Sequence, residues 1–365
     1  MKTMDELTAG VPAGPAVDPA DVAASLTRAL VVLDDDPTGT QSVADLPVIT
    51  GWSVDDLAWA LSTGAGAVYV MTNSRSLDPA DAERVNVEVV TNALAAAERV
   101  GRRVAFVSRS DSTLRGHFPV EPATIADLLE RAGTRVDGIV LSPAFPDAGR
   151  ITVHGTHYAG AAATGFVPVG ETEFADDKTF GYTASALPAW VEEKTAGAVR
   201  ADDVIVIDLA ALRTDEDAVV AALSAARNRA PIAVDCVEEN DLLLLARALG
   251  GLGPDLPGGQ DLGGAVGGGG RQRLRRTVAP GQSGVDGGIA ERAEPLQQRR
   301  VGTRVRRDVG AQTRIVVGEL VQLREIRIGI ARCGDEVVLS LRHEVSPPQV
   351  HGSRRARLVP YGRCS

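Results

Sequence analysis

A chain of 365 residues, 44% of them hydrophobic, is long enough for two ordinary domains with buried cores. Its three cysteines, Cys236, Cys333 and Cys364, are too few and too scattered for a disulfide framework, and none stands in a C-x-x-C zinc arrangement. The net charge of -10 averages two unlike parts: through Gly250, 19 basic against 37 acidic residues give -18, whereas the remainder carries 19 Arg, no Lys and 11 acids, giving +8.

Met1 to Ser25 has acids and prolines where a secretory leader would need a basic start and an apolar run. No later apolar stretch is long enough to span a membrane, so the expected location is cytoplasmic, with no membrane partner. Residues 1–28 read as a flexible lead-in to a domain over 29–249. From Ala29 onward, short β-branched runs alternate with helical stretches, the pattern of an α/β domain with a mostly parallel sheet and helices on both faces. The strands are expected at Leu30 to Leu33, Ala67 to Met71, Val104 to Val107, Gly138 to Leu141, Val204 to Ile207 and Ile232 to Val234. Between them, Ser53 to Ser62 begins on a cap residue, and Pro79 to Val100 opens with Asp78-Pro79. Pro119 to Arg131, Asp215 to Arg227 and Glu238 to Leu249 also read as helices.

This grammar stops after Gly250. The last 115 residues hold 21 of the 39 glycines, and Tyr361 is their only aromatic residue, too little to fill a core. Only Ile315 to Ile330 and Glu336 to Leu341 look strand-like, and the C-terminal region is expected to be irregular or poorly folded. Residues 250–365 therefore read as a Gly/Arg-rich tail, with three explanations: a basic nucleic-acid arm, a poorly packed accessory domain, or a gene read out of frame. The third is favoured, because GC-rich codons read out of phase yield Gly, Arg, Ala, Val and Pro with few Lys or aromatics. A nucleic-acid arm would mix Lys with Arg and carry stacking aromatics, so no nucleic-acid partner is expected.

Chemistry concentrates at strand ends, where parallel sheets bind ligands. The first strand runs into Asp34-Asp35-Asp36-Pro37-Thr38-Gly39-Thr40-Gln41, three adjacent acids that need a cation, a substrate hydroxyl or an Arg to offset their repulsion. The spacing Asp34-x-Asp36-x-Thr38 also opens haloacid-dehalogenase-type phosphatases, where the first Asp attacks phosphorus with Mg²⁺ at hand. That reading requires a downstream Lys beside a second acidic cluster, and neither Lys178 nor Lys194 supplies it. After the second long strand come Thr72-Asn73-Ser74-Arg75-Ser76, with Arg75 offering a planar fork for a carboxylate. The densest cluster follows Val107: Ser108-Arg109-Ser110-Asp111-Ser112-Thr113-Leu114-Arg115-Gly116-His117-Phe118-Pro119. Its arginines suit the carboxylate of a small polyol acid and its aspartate suits the hydroxyls. His117, His154 and His157 are read first as packing residues, with the last two weaker candidates for a cleft wall.

Taken together, Asp35-Asp36-x-Thr38-Gly39, Asn73-Ser74-Arg75, Arg109-x-Asp111-Ser112-Thr113-Leu114-Arg115-Gly116, Pro143-Ala144-Phe145-Pro146-x-Ala148-Gly149-Arg150, Gly155-x-His157 and Glu171-Thr172-Glu173-Phe174-Ala175 resemble, in order, the N-terminal motifs of the four-carbon acid sugar kinase family. Arg109 stands where many members have Lys. The resemblance covers residues 29 to about 249 and weighs against the phosphatase. It implies a threonate- or erythronate-class sugar acid as small-molecule substrate, with ATP and Mg²⁺ as cofactors and a separate C-terminal domain for the nucleotide. It places Asp35, Arg75, Arg109, Ser110, Asp111, Ser112 and Arg115 against the substrate; among the acids, Asp36 is our choice for the proton-accepting base, with Arg75 and Arg109 on the substrate carboxylate. No metal ligand and no nucleotide-binding residue can be named. Because the Gly-rich phosphate turns of a nucleotide domain are not recognisable after residue 250, a non-catalytic remnant that keeps only the sugar-acid pocket is the alternative.

Overall fold

The computed structural model describes residues 1–37 and 45–252, together with the backbone of three strands at 315–318, 327–333 and 336–342. Strands β1 (Ala29–Asp34), β2 (Val48–Ile49), β3 (Ala67–Met71), β4 (Val104–Arg109), β5 (Gly138–Leu141), β9 (Ile205–Ile207) and β10 (Ala230–Val234) belong to one parallel sheet. Its order is β2-β3-β1-β4-β11-β5-β10-β9, where β11 is Ile315–Gly318, parallel to both neighbours. The register sets Asp34 beside Met71 of β3 and Arg109 of β4, so three strands end together.

Helices cover both faces, and the alternation of strand residues shows it. On one face β5 contributes Ile139 and Leu141 to a core that holds residues of α3 (Val54–Ser62), α4 (Pro79–Val100), α5 (Val120–Arg131) and α6 (Leu187–Lys194). On the other, Val140 of β5 and Ile232 and Val234 of β10 meet α7 (Leu209–Thr214), α8 (Glu216–Ala225) and α9 (Glu239–Gly251). The helix ends follow local chemistry. Ser53 and Asp56 form a reciprocal capping box on α3. Asp78 caps α4 before Pro79, and α4 stops at Gly101, which takes the left-handed conformation at φ 66°. The buried side of α4 carries Ala82, Val85, Asn86, Val89, Val90, Ala93, Ala96 and Ala97 at helical spacing.

The α/β architecture and six strands stand where the sequence placed them, within one or two residues at the ends. The helix read as Asp215 to Arg227 has a companion before it: Asp215 is extended at φ -141°, ends α7 and caps α8 by accepting from Ala218 N. The sequence reading also passed over a second sheet, β6 (Arg150–Val153), β7 (Thr156–Ala161) and β8 (Gly165–Pro168), antiparallel throughout. β6 joins the end of β10 through Thr152 and Cys236, whose amides exchange hydrogen bonds of 2.8 and 2.9 Å.

Residues 1–28, expected to be flexible, are tied to the domain along their length, including through Pro12, Pro15 and Val17, which hydrogen-bond to Arg213 and Asn240. Lys2 and Phe166 exchange two backbone hydrogen bonds of 2.8 Å. Leu7 of α1 (Met4–Leu7) is buried against Ile151, Tyr158 and Phe166, and α2 (Pro19–Ser25) buries Val22. The strand-like runs of the tail correspond to β11 and to a hairpin of β12 (Arg327–Cys333) and β13 (Glu336–Arg342). The remainder of the tail, and with it the readings of an arm, an accessory domain or an out-of-frame product, lies outside the described residues, as do Thr38, Gly39, Thr40 and Gln41. Among the described residues no helix is long and apolar enough to cross a membrane.

Candidate functional site

The three acids at the end of β1 are gripped from the two flanking strands. Asp34 is fully buried and accepts from Arg109 Nη1 at 2.9 Å. Its backbone carbonyl receives Thr72 N and Thr72 Oγ1, both at 2.9 Å, which pins the segment after β3 to β1. Asp35, also buried, is held bidentately by Arg75, Nη2 to Oδ1 at 2.5 Å and Nε to Oδ2 at 3.0 Å, and receives Ser110 Oγ at 2.7 Å. The same guanidinium reaches Asp36 through Nη1 at 3.0 Å. Arg75 thus spends three of its N–H groups on the two acids, and Asp36, at 26% exposure, is the most accessible of the three.

Burial dominates the electrostatics. It pushes the Asp34 carboxyl up to about 6 against the pull of Arg109, and raises Asp35 against the pull of Arg75. Asp34 Oδ2 has no hydrogen-bond partner, so one face of that carboxylate is desolvated without compensation. Asp111 completes the cluster one loop away: Arg115 Nε donates to its Oδ2 at 2.6 Å and the Thr113 hydroxyl donates to the same oxygen. Arg115 also lies over the Phe174 ring at 5.1 Å, and Arg150 approaches that ring at 5.4 Å.

The loops that carry these groups are unusual in backbone. Asn73 and Leu114 both sit in the left-handed region, at φ 53° and 64°. Gly116 is a close approach: a Cβ there would collide with Ser110 Oγ, the hydroxyl that serves Asp35. The structure therefore brings Asp35, Asp36, Arg75, Arg109, Ser110, Asp111 and Arg115 into one connected cluster. Ser112 makes its contact outside the cluster, its carbonyl meeting His157 Nε2 at 2.7 Å.

His157 and His117 are buried, whereas His154 is exposed. His157 is fully buried between Thr152 Oγ1 and the Ser112 carbonyl, and burial pushes it down to about 4, which keeps it neutral. His117 meets the Ser74 carbonyl at 3.0 Å and stands edge-on to Phe180. His154 and Gly155, at φ 51° and 69°, form the two-residue turn between β6 and β7, and both of their amides donate to Asp235. Several sequence motifs thus have a backbone cause. At Gly149, φ 72°, a Cβ would run into the Gly160 carbonyl, so the Ala148-Gly149-Arg150 motif marks a strand crossing.

One buried charge carried no sequence signal. Glu121, in the first turn of α5, is 4% exposed and accepts from Ser74 Oγ at 2.5 Å, Asn86 Nδ2 at 3.0 Å and Ser108 Oγ at 3.3 Å. Its helix position was legible, but a first-turn glutamate is ordinarily a solvated partner of the helix dipole. Among the described residues no group of three or more His, Cys, Asp or Glu is arranged to hold a metal ion. Each acid of β1 faces a guanidinium instead, so a resident Mg²⁺ does not fit these residues.

The family model described as "sugar-binding N-terminal domain" matches residues 30–256, and the chain belongs to that family. This agrees with the family whose N-terminal motifs the sequence resembles in order. No curated protein matches the chain. Among solved structures, it is similar to a domain of unknown function from Bordetella bronchiseptica, a domain-swapped dimer with bound citrate, at 25% identity and TM-score 0.46, covering 62% of this chain and 53% of that one. It is also similar to the Haemophilus influenzae protein HI1011, at 19% identity and TM-score 0.42, covering 60% of this chain and 51% of that one. The chain therefore spans about half the length of the solved structures it matches.

Proposed function

We propose that this domain holds a four-carbon sugar acid of the threonate or erythronate class as the acceptor for phosphoryl transfer from ATP. The observation that supports this most directly is the single ionic cluster that β1, β3 and β4 build at their carboxyl ends, with Asp35 and Asp36 bridged by Arg75 and Asp34 bridged by Arg109. Carboxylates recognise the hydroxyls of a polyol, and guanidinium forks recognise its carboxylate. Arg109 is the better anchor for the ligand carboxylate, because it spends one N–H on Asp34 where Arg75 spends three on its acids. In this reading Asp36 accepts the proton of the attacking hydroxyl as its oxygen bonds to the terminal phosphorus of ATP, the bond from that phosphorus to the bridging oxygen breaks and ADP leaves, while Asp35, Ser110 and Asp111 orient the sugar. On the same reading ATP brings Mg²⁺ with its phosphates.

A second reading is a sugar-acid-binding remnant without transfer, supported by a family model whose description names sugar binding alone. Calorimetric titration with the threonate and erythronate isomers, followed by ATP consumption with Mg²⁺, separates the two. Binding with turnover supports the kinase, and binding without turnover supports the remnant. Absence of binding for every isomer overturns both.

A further inference from the structure

Among the described residues Glu121 has no cationic partner, in a site that is otherwise built from ion pairs. Its partners are two hydroxyls and an amide, and each comes from a different element: Ser74 from the turn after β3, Asn86 from α4 and Ser108 from β4. Ser74 precedes Arg75 and Ser108 precedes Arg109, so this one carboxyl reaches the neighbours of both guanidinium groups that grip the β1 acids. Glu121 also lines a small cavity with Ser108, Ser110, His117, Leu114 and Trp190.

We infer that Glu121 is a positioning residue for the sugar-acid site: it clamps the two arginine-bearing strand ends in register and takes up a proton when an acid anion enters. The inference rests on the sugar-acid reading above and extends it. A charge count explains the proton. Asp34, Asp35, Asp36, Asp111 and Glu121 set five negative charges against the three positive charges of Arg75, Arg109 and Arg115. A ligand carboxylate adds another negative charge to an excess of two, and a proton from solvent on Glu121 cancels it. The titratable groups that face Glu121 are Asp35 at the end of β1 and His117 on its own loop, with Arg75 and Arg109 behind its hydroxyl partners; α4 presents only Asn86. Burial first and the charge of Asp35 second push Glu121 up to about 7, where ligand entry near neutral pH suffices to protonate it.

The test is titration of threonate and erythronate into the full chain at pH 7, in buffers of different ionisation enthalpy. The native protein is expected to take up a fraction of a proton per ligand and to bind more weakly as pH rises from 6 to 8. Glu121→Gln keeps the shape of the clamp and abolishes the uptake; undiminished uptake in this variant overturns the proton's assignment. Glu121→Ala and Ser74→Ala each weaken binding about tenfold. If both are folded by circular dichroism and bind like the native chain, the clamp is refuted. Should the native chain bind no four-carbon sugar acid, the functional reading fails by itself. The clamp is then decided by amide exchange of Thr72, Asn73 and Arg75, whose N–H groups bond β1 carbonyls and are expected to exchange faster in Glu121→Ala; unchanged exchange overturns it.

Discussion

Two buried acids in this domain are satisfied in opposite ways. Asp35, at the end of β1, is neutralised by the guanidinium of Arg75 and by one hydroxyl, all reaching in from other strands. Asp235, at the end of β10, has no Lys or Arg salt bridge among the described residues; it accepts three backbone amides, His154 at 2.7 Å, Gly155 at 2.8 Å and Leu209 at 3.2 Å. The first arrangement uses side chains that can let go and grip something else. The second is made of main chain and ties the β6–β7 turn to α7 as a fixed joint. A site that exchanges partners with a ligand needs the first kind, and the scaffold that holds it still needs the second.

Truncation sharpens the contrast. Arg75→Ala leaves Asp35 buried and uncompensated, and chemical denaturation at pH 7 is expected to show a loss of about 3 kcal/mol. The loss shrinks as pH falls, because burial raises the Asp35 carboxyl and favours its protonated form. Asp235→Asn keeps the size and removes the charge facing three amides, with an expected cost of about 2 kcal/mol. A larger cost at Asp235 than at Arg75 would break the comparison by making the amide joint the stronger of the two. Gly149→Ala forces a methyl into the Gly160 carbonyl at positive φ, and about 2 kcal/mol is expected with the loss confined to the second sheet, read by hydrogen exchange of β6 and β7.

A pH series gives a smaller effect of definite sign. Glu121 is raised in the folded chain, so its contribution is present in full below its unfolded value near 4.5 and is lost as pH climbs to about 7. Glu121→Gln should therefore gain thermal stability relative to the native chain between pH 5 and pH 8. Smallest is Arg229→Ala, at the surface pair with Glu130 and Asp127, which should cost under about 1 kcal/mol.

What could be read in the sequence follows the same division. Asp34, Asp35, Asp36, Arg75 and Arg109 were legible because a parallel sheet places strand ends together and because acids and arginines in short runs have few other uses. That Arg75 bridges both Asp35 and Asp36 was not. Glu121 was hidden because burial of a first-turn glutamate depends on Ser74, Asn86 and Ser108, contacts that are distant along the chain. The β6–β8 sheet was missed because its signals are glycines at a turn and a crossing, Gly155 and Gly149, within a stretch that reads as ligand motifs. The acid-poor, Gly-rich tail offered neither kind of signal.

Leu114 gives the site loop a cost that engineering will meet. It holds a left-handed backbone and is at the same time 1% exposed within the main core. A glycine at that position would relax the backbone and empty the core in one step, while any larger β-carbon substituent would add to the strain. Gains in thermal endurance are therefore to be sought in the helices and on the outer surface, since at this position shape and comfort of the chain are set against each other.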